Sequence, residues 1–439
     1  MIKLIKLSIF LCVMGICCVL AGCSKAQKRQ IVDEQGNKII SFYTMQLKTD
    51  FSDFINGMIS EFEQNNPKVK IKWIDQPADG FETKLMSMYS VGESPDVINL
   101  NTGMMLNLHD RNLLLNLNDY LTTKQRSMFV KSMIDEACTF NGNTAGLPWY
   151  ISPAVTMINT EVFKKAGLDP THAPMTLDEL MDYCRIIREK TGLFGVMLPL
   201  AENGVFRTMI LNEGIPLTNP EKTQAIFANE RSAEVLRKYK NAYDKEWIPR
   251  ESVTGKHRRA IDMFKNGKAA MLVNGPQFLR TIKTEAPDIY TSCSIGFTAP
   301  RLPNYTYGTE TQAVCISAKT AHPKEALAFA LWLCAPKNQL QFSHLVPVFP
   351  STTEALADPY FADKGTTPEQ MAIYIGAQEV AKGVPNVPTL PLDGKLCRAI
   401  DDMVRQVFLR NVPPEKALEQ AQERWNRILA SHKQKETGK

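Results

Sequence analysis

KIISFY at 38–43, SDFINGMISEFEQN at 52–65, KVKIKWI at 68–74, FETKLMSMY at 81–89 and DVINL at 96–100 decide the fold of this chain. The first, third and fifth runs are short, rich in β-branched and aromatic residues, and partly alternating, as strands are. The second places Phe54, Ile55, Met58, Ile59 and Phe62 on one face of a 3.6-residue helix. The fourth has the same helical look, and Ser94-Pro95 punctuates the entry into the fifth. Strand, helix, strand, helix, strand at these lengths requires crossover connections. The sheet is therefore mainly parallel and the class α/β.

Downstream the alternation is less regular. Residues 154–159 read as a strand, 176–190 and 232–243 as helices, and 269–273 as a buried strand ended by Asn274-Gly275-Pro276. Residues 313–317 form another strand leading to a helix at 322–334, and the remainder is mostly helical, ending with 414–429. There is no internal repeat and no long linker, so two lobes would have to be joined by short crossings. A length of 439 residues, 44% hydrophobic and 22% charged, is ordinary globular composition with room for two or three domains. A formal net charge of +5 without a strong basic block gives no footprint for nucleic acid.

The compartment is read from the first residues. Lys3 and Lys6 precede an apolar run at 7–20 that is too short to span a bilayer and has the flanks of a signal peptide. LAGC at 20–23 resembles the bacterial lipobox, which implies removal of residues 1–22 and acylation of Cys23. Several acyl chains at one residue hold a protein stably at a membrane, so the chain is expected on the outer side of the cytoplasmic membrane. Polar residues 23–37 read as a tether. Of ten cysteines, Cys12, Cys17 and Cys18 leave with the leader, and Cys138, Cys184, Cys293, Cys315, Cys334 and Cys397 remain in the mature chain. They are scattered, without a CxxC, and Cys315 and Cys334 lie in apolar elements. This favours buried free thiols and leaves any disulfide pairing open.

No G-x-S-x-G, H-E-x-x-H, P-loop or G-x-G-x-x-G occurs, and the six histidines stand apart from one another. No catalytic residue, cofactor or metal ligand is assigned. Carboxylates are plentiful, so a glycosidase pair is not excluded by counting.

Six segments, in order, resemble the extracellular solute-binding proteins of bacterial ABC transporters, the family that includes maltose-binding protein. They are NNPKVKI at 65–71, GESPDVI at 92–98, LNLNDYL at 115–121, GLPWY at 146–150 with MINTEVFKKAGL at 157–168, FKNGKAAM at 264–271 running into NGP at 274–276, and VPNVP at 384–388. Two positions depart from the pattern: Leu177 and Gln277 stand where the family usually has tryptophan. The second bears on sugar stacking. The resemblance implies a two-lobed periplasmic-binding-protein fold of type II, with solute in the cleft between two α/β lobes. By it, residues 38–148 with 302–346 form one lobe and 151–297 with 351–432 the other, followed by a tail at 433–439. The crossings fall near 148–151, 297–302 and 346–351.

A sugar site needs flat aromatic faces together with amides, carboxylates or guanidinium groups for hydroxyls. Trp149 and Tyr150 sit at the first crossing, where the family lines its cleft; packing of the hinge is the competing role. Tyr43, Thr44 and Gln46 follow the first strand, and Asn101 ends a later one, at strand ends where open α/β sheets place ligands. By the resemblance Glu202 matches the family's acidic cleft loop, with a solvated loop as the competing role, and Asn274 and Gln277 flank the turn where the family contacts solute; Glu310 begins a strand on the far side of the second crossing. The function implied is capture of a small solute, best a sugar or oligosaccharide, by a monomer that hands it to an ABC permease. A glycerol phosphate ester or polyamine is the alternative cargo, with Arg207 and Arg301 as candidate phosphate partners. A surface glycan hydrolase or adhesin is the alternative class.

Overall fold

The computed structural model describes residues 31–298, 310–380, 390 and 393–437, with side chains to residue 432. The leader, Cys23, Arg301, the 384–388 segment and most of the second crossing lie outside the described residues, as do the side chains of the tail.

The expected βαβαβ start is present. Strand β1 (Lys38–Met45) is followed by a helix at Lys48–Asn65, β2 (Val69–Gln76), a helix at Phe81–Ser90 and β3 (Val97–Asn101). β1 pairs in parallel with both β2 and β3, with Ile40 opposite Ile71 and Phe42 opposite Val97. A small hairpin, β4 (Thr139–Phe140) and β5 (Asn143–Thr144), precedes β6 (Gly146–Ser152). The second half contributes β7 (Val155–Asn159), β8 (Phe194–Val196), β9 (Ala269–Asn274) and β10 (Cys293–Gly296). β11 (Glu310–Ile316) and β12 (Phe349–Pro350) then return to the first sheet.

Among the described residues the strands form a six-stranded sheet, β12-β6-β11-β3-β1-β2, and a four-stranded sheet, β10-β7-β9-β8. These are the centres of two α/β lobes. The chain changes sheet at Pro153 and Ala154, because β6 stays paired with β11 as far as Ser152. That is later than the expected 148–151.

Apolar side chains cover both faces of the first sheet. Phe42, Val97, Leu147 and Val314 pack under the helices Lys48–Asn65 and Pro323–Leu333, while Tyr43, Ile98, Leu100 and Ala313 pack under the helices Phe81–Ser90 and Thr102–His109. Burial on both sides is why β1 reads as a nearly continuous apolar run. Helix boundaries follow capping chemistry. Thr176 accepts from the Glu179 N–H at the start of Leu177–Thr191, and Gly192 ends that helix in the left-handed conformation. The helix Pro368–Val380 packs on β7, β10 and β12, so it covers the junction of the two sheets. Gly376 is needed there, since a Cβ would lie 2.3 Å from the Phe349 ring.

The six cysteines among the described residues are all buried and free. Trp425 is fully buried against Phe227, with its indole N–H donated to the Leu396 carbonyl. The end of the expected tether folds back as a turn. Val32 bridges Lys38, and the Asp33 carboxylate accepts from the backbone of Gln35 and from Asn37.

Candidate functional site

A row of polar side chains lies along the edge of the first sheet that faces the second lobe. In register, Asn101 of β3 opposes Gln312 of β11, and Gln312 opposes Tyr150 of β6; one step further out, Glu310 opposes Ser152. The row is tied together. Asn101 uses its oxygen to cap the helix Thr102–His109, accepting from the Met104 N–H at 2.9 Å, and its amide nitrogen to reach Glu310 Oε1 at 3.3 Å. Gln312 Nε2 donates to the same Glu310 oxygen at 3.3 Å, while Gln312 Oε1 accepts from Asn99 Nδ2 at 3.1 Å. Every amide has a fixed orientation, which is what a preorganised hydrogen-bonding surface requires.

Glu310 is exposed on one side and walled by protein on the others. Desolvation raises its carboxyl above the ordinary range, against the Asn101 hydrogen bond and the charge of His257. The open side limits that rise. Burial, and then the Glu310 charge, push the Tyr150 hydroxyl up in the same way.

The second lobe presents side chains from loops and helix starts. Glu202 accepts from the His257 backbone N–H at 2.7 Å, and its carboxylate lies 3.7 Å from His257 Nδ1. Burial would raise Glu202, but His257 outweighs it and holds the carboxyl low; the same pair raises the His257 imidazole. Glu310 also acts on His257, so the charges of the two walls interact across the cleft. The Asn274 oxygen accepts from Gly275 N–H, and Gln277 receives the Ser152 hydroxyl at 2.7 Å, a direct bond between the lobes. A Cβ on Gly275 would strike the Gln277 side chain at 2.2 Å, so glycine is what lets Gln277 fold over the turn.

Behind this wall Arg207, nearly fully buried, is bound by Asp393 through both terminal nitrogens and donates Nε to the Gly204 carbonyl at 3.2 Å. Asp393 begins the helix Asp393–Arg410. A cleft cavity of about 1010 Å³ runs beside that helix start, with Glu82, Gly103 and Asn107 on one side and Asp393, Gly394 and Arg398 on the other. A second hollow of about 750 Å³ shares Asp110 and His432 with it. These volumes lie alongside the polar row rather than over Glu310. Oriented side chains from both lobes converge at the row, which makes it the candidate site.

Four expected contacts are corrected. Trp149 is 1% exposed, stacked 5.7 Å from Phe342 and edge-on to Phe42, so its ring has no face left for a solute. The cause is a β-bulge: Gln312 pairs with Tyr150 and Ala313 with Pro148, leaving Trp149 as the extra residue. Tyr43 and Thr44 are fully buried because β1 runs two residues further than expected. Tyr43 packs on Phe81, and Thr44 donates to Asp75 at 2.6 Å while accepting from the Trp73 indole. Arg207 is no free phosphate partner, since Asp393 already neutralises it.

Tyr150, Asn101, Glu310, Glu202, Asn274 and Gln277 all lie at the facing edges of the lobes. Gln46 is exposed just past β1, in a left-handed conformation. The sequence reading missed His257 as the partner of Glu202, and Gln312 and Ser152. Period-two spacing from Glu310 through Gln312 was the available signal. Among the described residues there is no cluster of three metal-ligating side chains and no helix long and apolar enough to cross a membrane.

Comparisons with known proteins agree with this architecture. The chain is similar to an uncharacterised lipoprotein of Streptomyces antibioticus, 23% identical over 349 residues, 78% of this chain and 75% of that one. Its fold is similar to that of a Synechococcus periplasmic-binding protein assigned to oligosaccharides, with a TM-score of 0.79, 24% identity and coverage of 90% and 99%. It is also similar to the GacH receptor of Streptomyces glaucescens, solved unliganded and with acarbose, at a TM-score of 0.76, 20% identity and coverage of 89% and 98%. The family model for bacterial extracellular solute-binding proteins matches residues 57–369. This chain therefore belongs to the bacterial extracellular solute-binding protein family.

Proposed function

We propose that the protein captures a sugar or oligosaccharide in the cleft between its lobes and delivers it unchanged to the permease of an ABC transporter. The observation that carries the reading is the oriented row Asn101, Gln312, Tyr150 and Glu310 facing Gln277 and the Glu202–His257 pair. Such a surface offers donors and acceptors to hydroxyls at fixed positions, with Tyr150 as the aromatic body. The acarbose and oligosaccharide assignments of the structural relatives support the same cargo. Of the two candidate phosphate partners, Arg207 is already neutralised by Asp393. The protein works as a monomer held by lipid at Cys23, with the lobes parting at the crossings between the two sheets; the lipoprotein relative supports the anchor.

A thermal-shift panel of mono-, di- and oligosaccharides, glycerol phosphates and polyamines tests the cargo. A ligand at about a hundred times its Kd stabilises the native state by about 2.7 kcal/mol, a visible shift. A response to phosphates or polyamines with a flat sugar series would end the sugar reading. The alternative class, a glycan hydrolase, needs two carboxylates within about 5–10 Å of each other across the cleft. Recovery of the bound glycan intact decides between the two.

A further inference from the structure

The turn and helix after β9 do more than carry Gln277. The helix Phe278–Glu285 starts at the C-terminal end of β9, and the helix Lys48–Asn65 starts at the C-terminal end of β1. The second-lobe start lies beside the crossing, since Asn274 pairs with Val155 immediately after it. Arg280 Nη2 lies 3.7 Å from Asp50 Oδ1, and the same guanidinium sits 5.8 Å from the centre of the Phe51 ring.

Phe51 is placed for this role. Its backbone leaves the helix, with φ −127° and ψ 22°, and its ring packs edge-on against Phe342 at 5.1 Å. Phe342 in turn touches Trp149 and Tyr150 on the strand that leads into the crossing. Arg280 thus meets a surface continuous with the hinge strand, while Gln277, one turn earlier, bonds Ser152 at the end of that strand.

We propose that Arg280 is a positioning residue for solute binding. It latches the two lobes together through Asp50 and Phe51 and so sets the closed fraction without touching the solute. One guanidinium makes both contacts, so the ordering of a single side chain serves two attractions. Closure that depends on a solvent-exposed ion pair is weakened by salt.

The inference rests on the reading that the lobes close on a solute, but its first test needs none. Small-angle scattering of the ligand-free protein is recorded at about 0.05 M and about 0.5 M salt, where screening lengths differ severalfold. Wild type should be more compact at low salt, whereas Arg280→Ala and Asp50→Asn should be expanded at both. Arg280→Lys, which keeps a charge over Phe51, should recover part of the compaction. For whichever solute the panel identifies, Arg280→Ala should weaken binding about 3- to 10-fold with little change in thermal midpoint. Identical scattering of wild type, Arg280→Ala and Asp50→Asn at both salt concentrations overturns the latch, whatever the solute turns out to be.

Discussion

The two walls of the cleft are built by different means. On the first lobe, side chains stand on paired strands and hold one another by amide hydrogen bonds: Asn99 to Gln312, and Gln312 and Asn101 to Glu310. On the second lobe, the cleft-facing carboxylates come from a loop and a helix start and are held by cations, Glu202 by His257 and Asp393 by Arg207. A strand-borne wall gets its precision from backbone pairing and amide hydrogen bonds, which respond little to pH and salt, and its row titrates through Glu310. A loop-borne wall gets it from ion pairs and is sensitive to both. A binding protein built this way has one rigid reading surface and one adjustable one.

The largest expected effect contrasts a residue just behind the first wall with the residues that form it. Trp149→Ala should destabilise by about 3–5 kcal/mol, as for a buried aromatic, and lower the thermal midpoint by roughly 10 °C. Scanning calorimetry should show that loss with or without sugar. If the variant instead kept its midpoint and lost only sugar binding, Trp149 would belong to the site after all.

Next comes the cation behind the second wall. Arg207→Ala leaves Asp393 and the neighbouring Asp401 without their shared positive charge, at a cost of about 3 kcal/mol. Urea unfolding at two salt concentrations measures it. A loss below about 1 kcal/mol would show the ionic wall to be ornamental.

Smaller again is Glu310→Gln. The hydrogen bonds from Asn101 and Gln312 to an uncharged amide are weaker, and a hydroxyl partner loses a charged acceptor, so sugar affinity should fall about tenfold. Stability of the free protein should hold or rise slightly, because the desolvated carboxylate is gone.

The smallest effect is the pH dependence of the Glu202–His257 pair. His257 is raised in the folded protein, so its contribution is complete below its ordinary value of 6.5 and is lost as pH rises through the folded value. Glu202 is lowered, so its contribution is present above its ordinary 4.5 and is lost as pH falls through the folded value. The pair therefore stabilises most between those two values, by less than about 1 kcal/mol given the exposure of the imidazole. Thermal midpoints of wild type and Glu202→Gln across pH 5 to about 8 should converge at the alkaline end. Parallel curves would remove the pair from the second wall.

The fold was readable because its signals are local. The apolar spacing of Phe54, Ile55, Met58, Ile59 and Phe62, the Thr176 cap and the runs at 38–43 and 96–100 each act within one element. Placement at the facing edges of the lobes was legible from a strand end or turn for Asn101 and Asn274–Gln277, and for Tyr150 and Glu202 from the family resemblance. Contacts between distant positions left no trace: Glu202 and His257 are 55 residues apart, and Asn101 and Glu310 are 209 apart. The bulge at Trp149 was hidden for a different reason. Alternation assigns neighbours to opposite faces, and one extra residue in β6 turns Trp149 and Tyr150 toward the same packing against Phe342. Two residues of the same apparent promise thus end as a core ring and a cleft ring.

Hydrogen–deuterium exchange of the protein with and without the oligosaccharide that shifts it most tests the two-walled site directly. The expected result is new protection at residues 99–102, 150–152 and 310–312 on one lobe and at 202–204 and 274–277 on the other, with little change elsewhere. Protection confined to one lobe, or centred on the cavity beside Asp110 and His432 while the polar row stays unchanged, would contradict it.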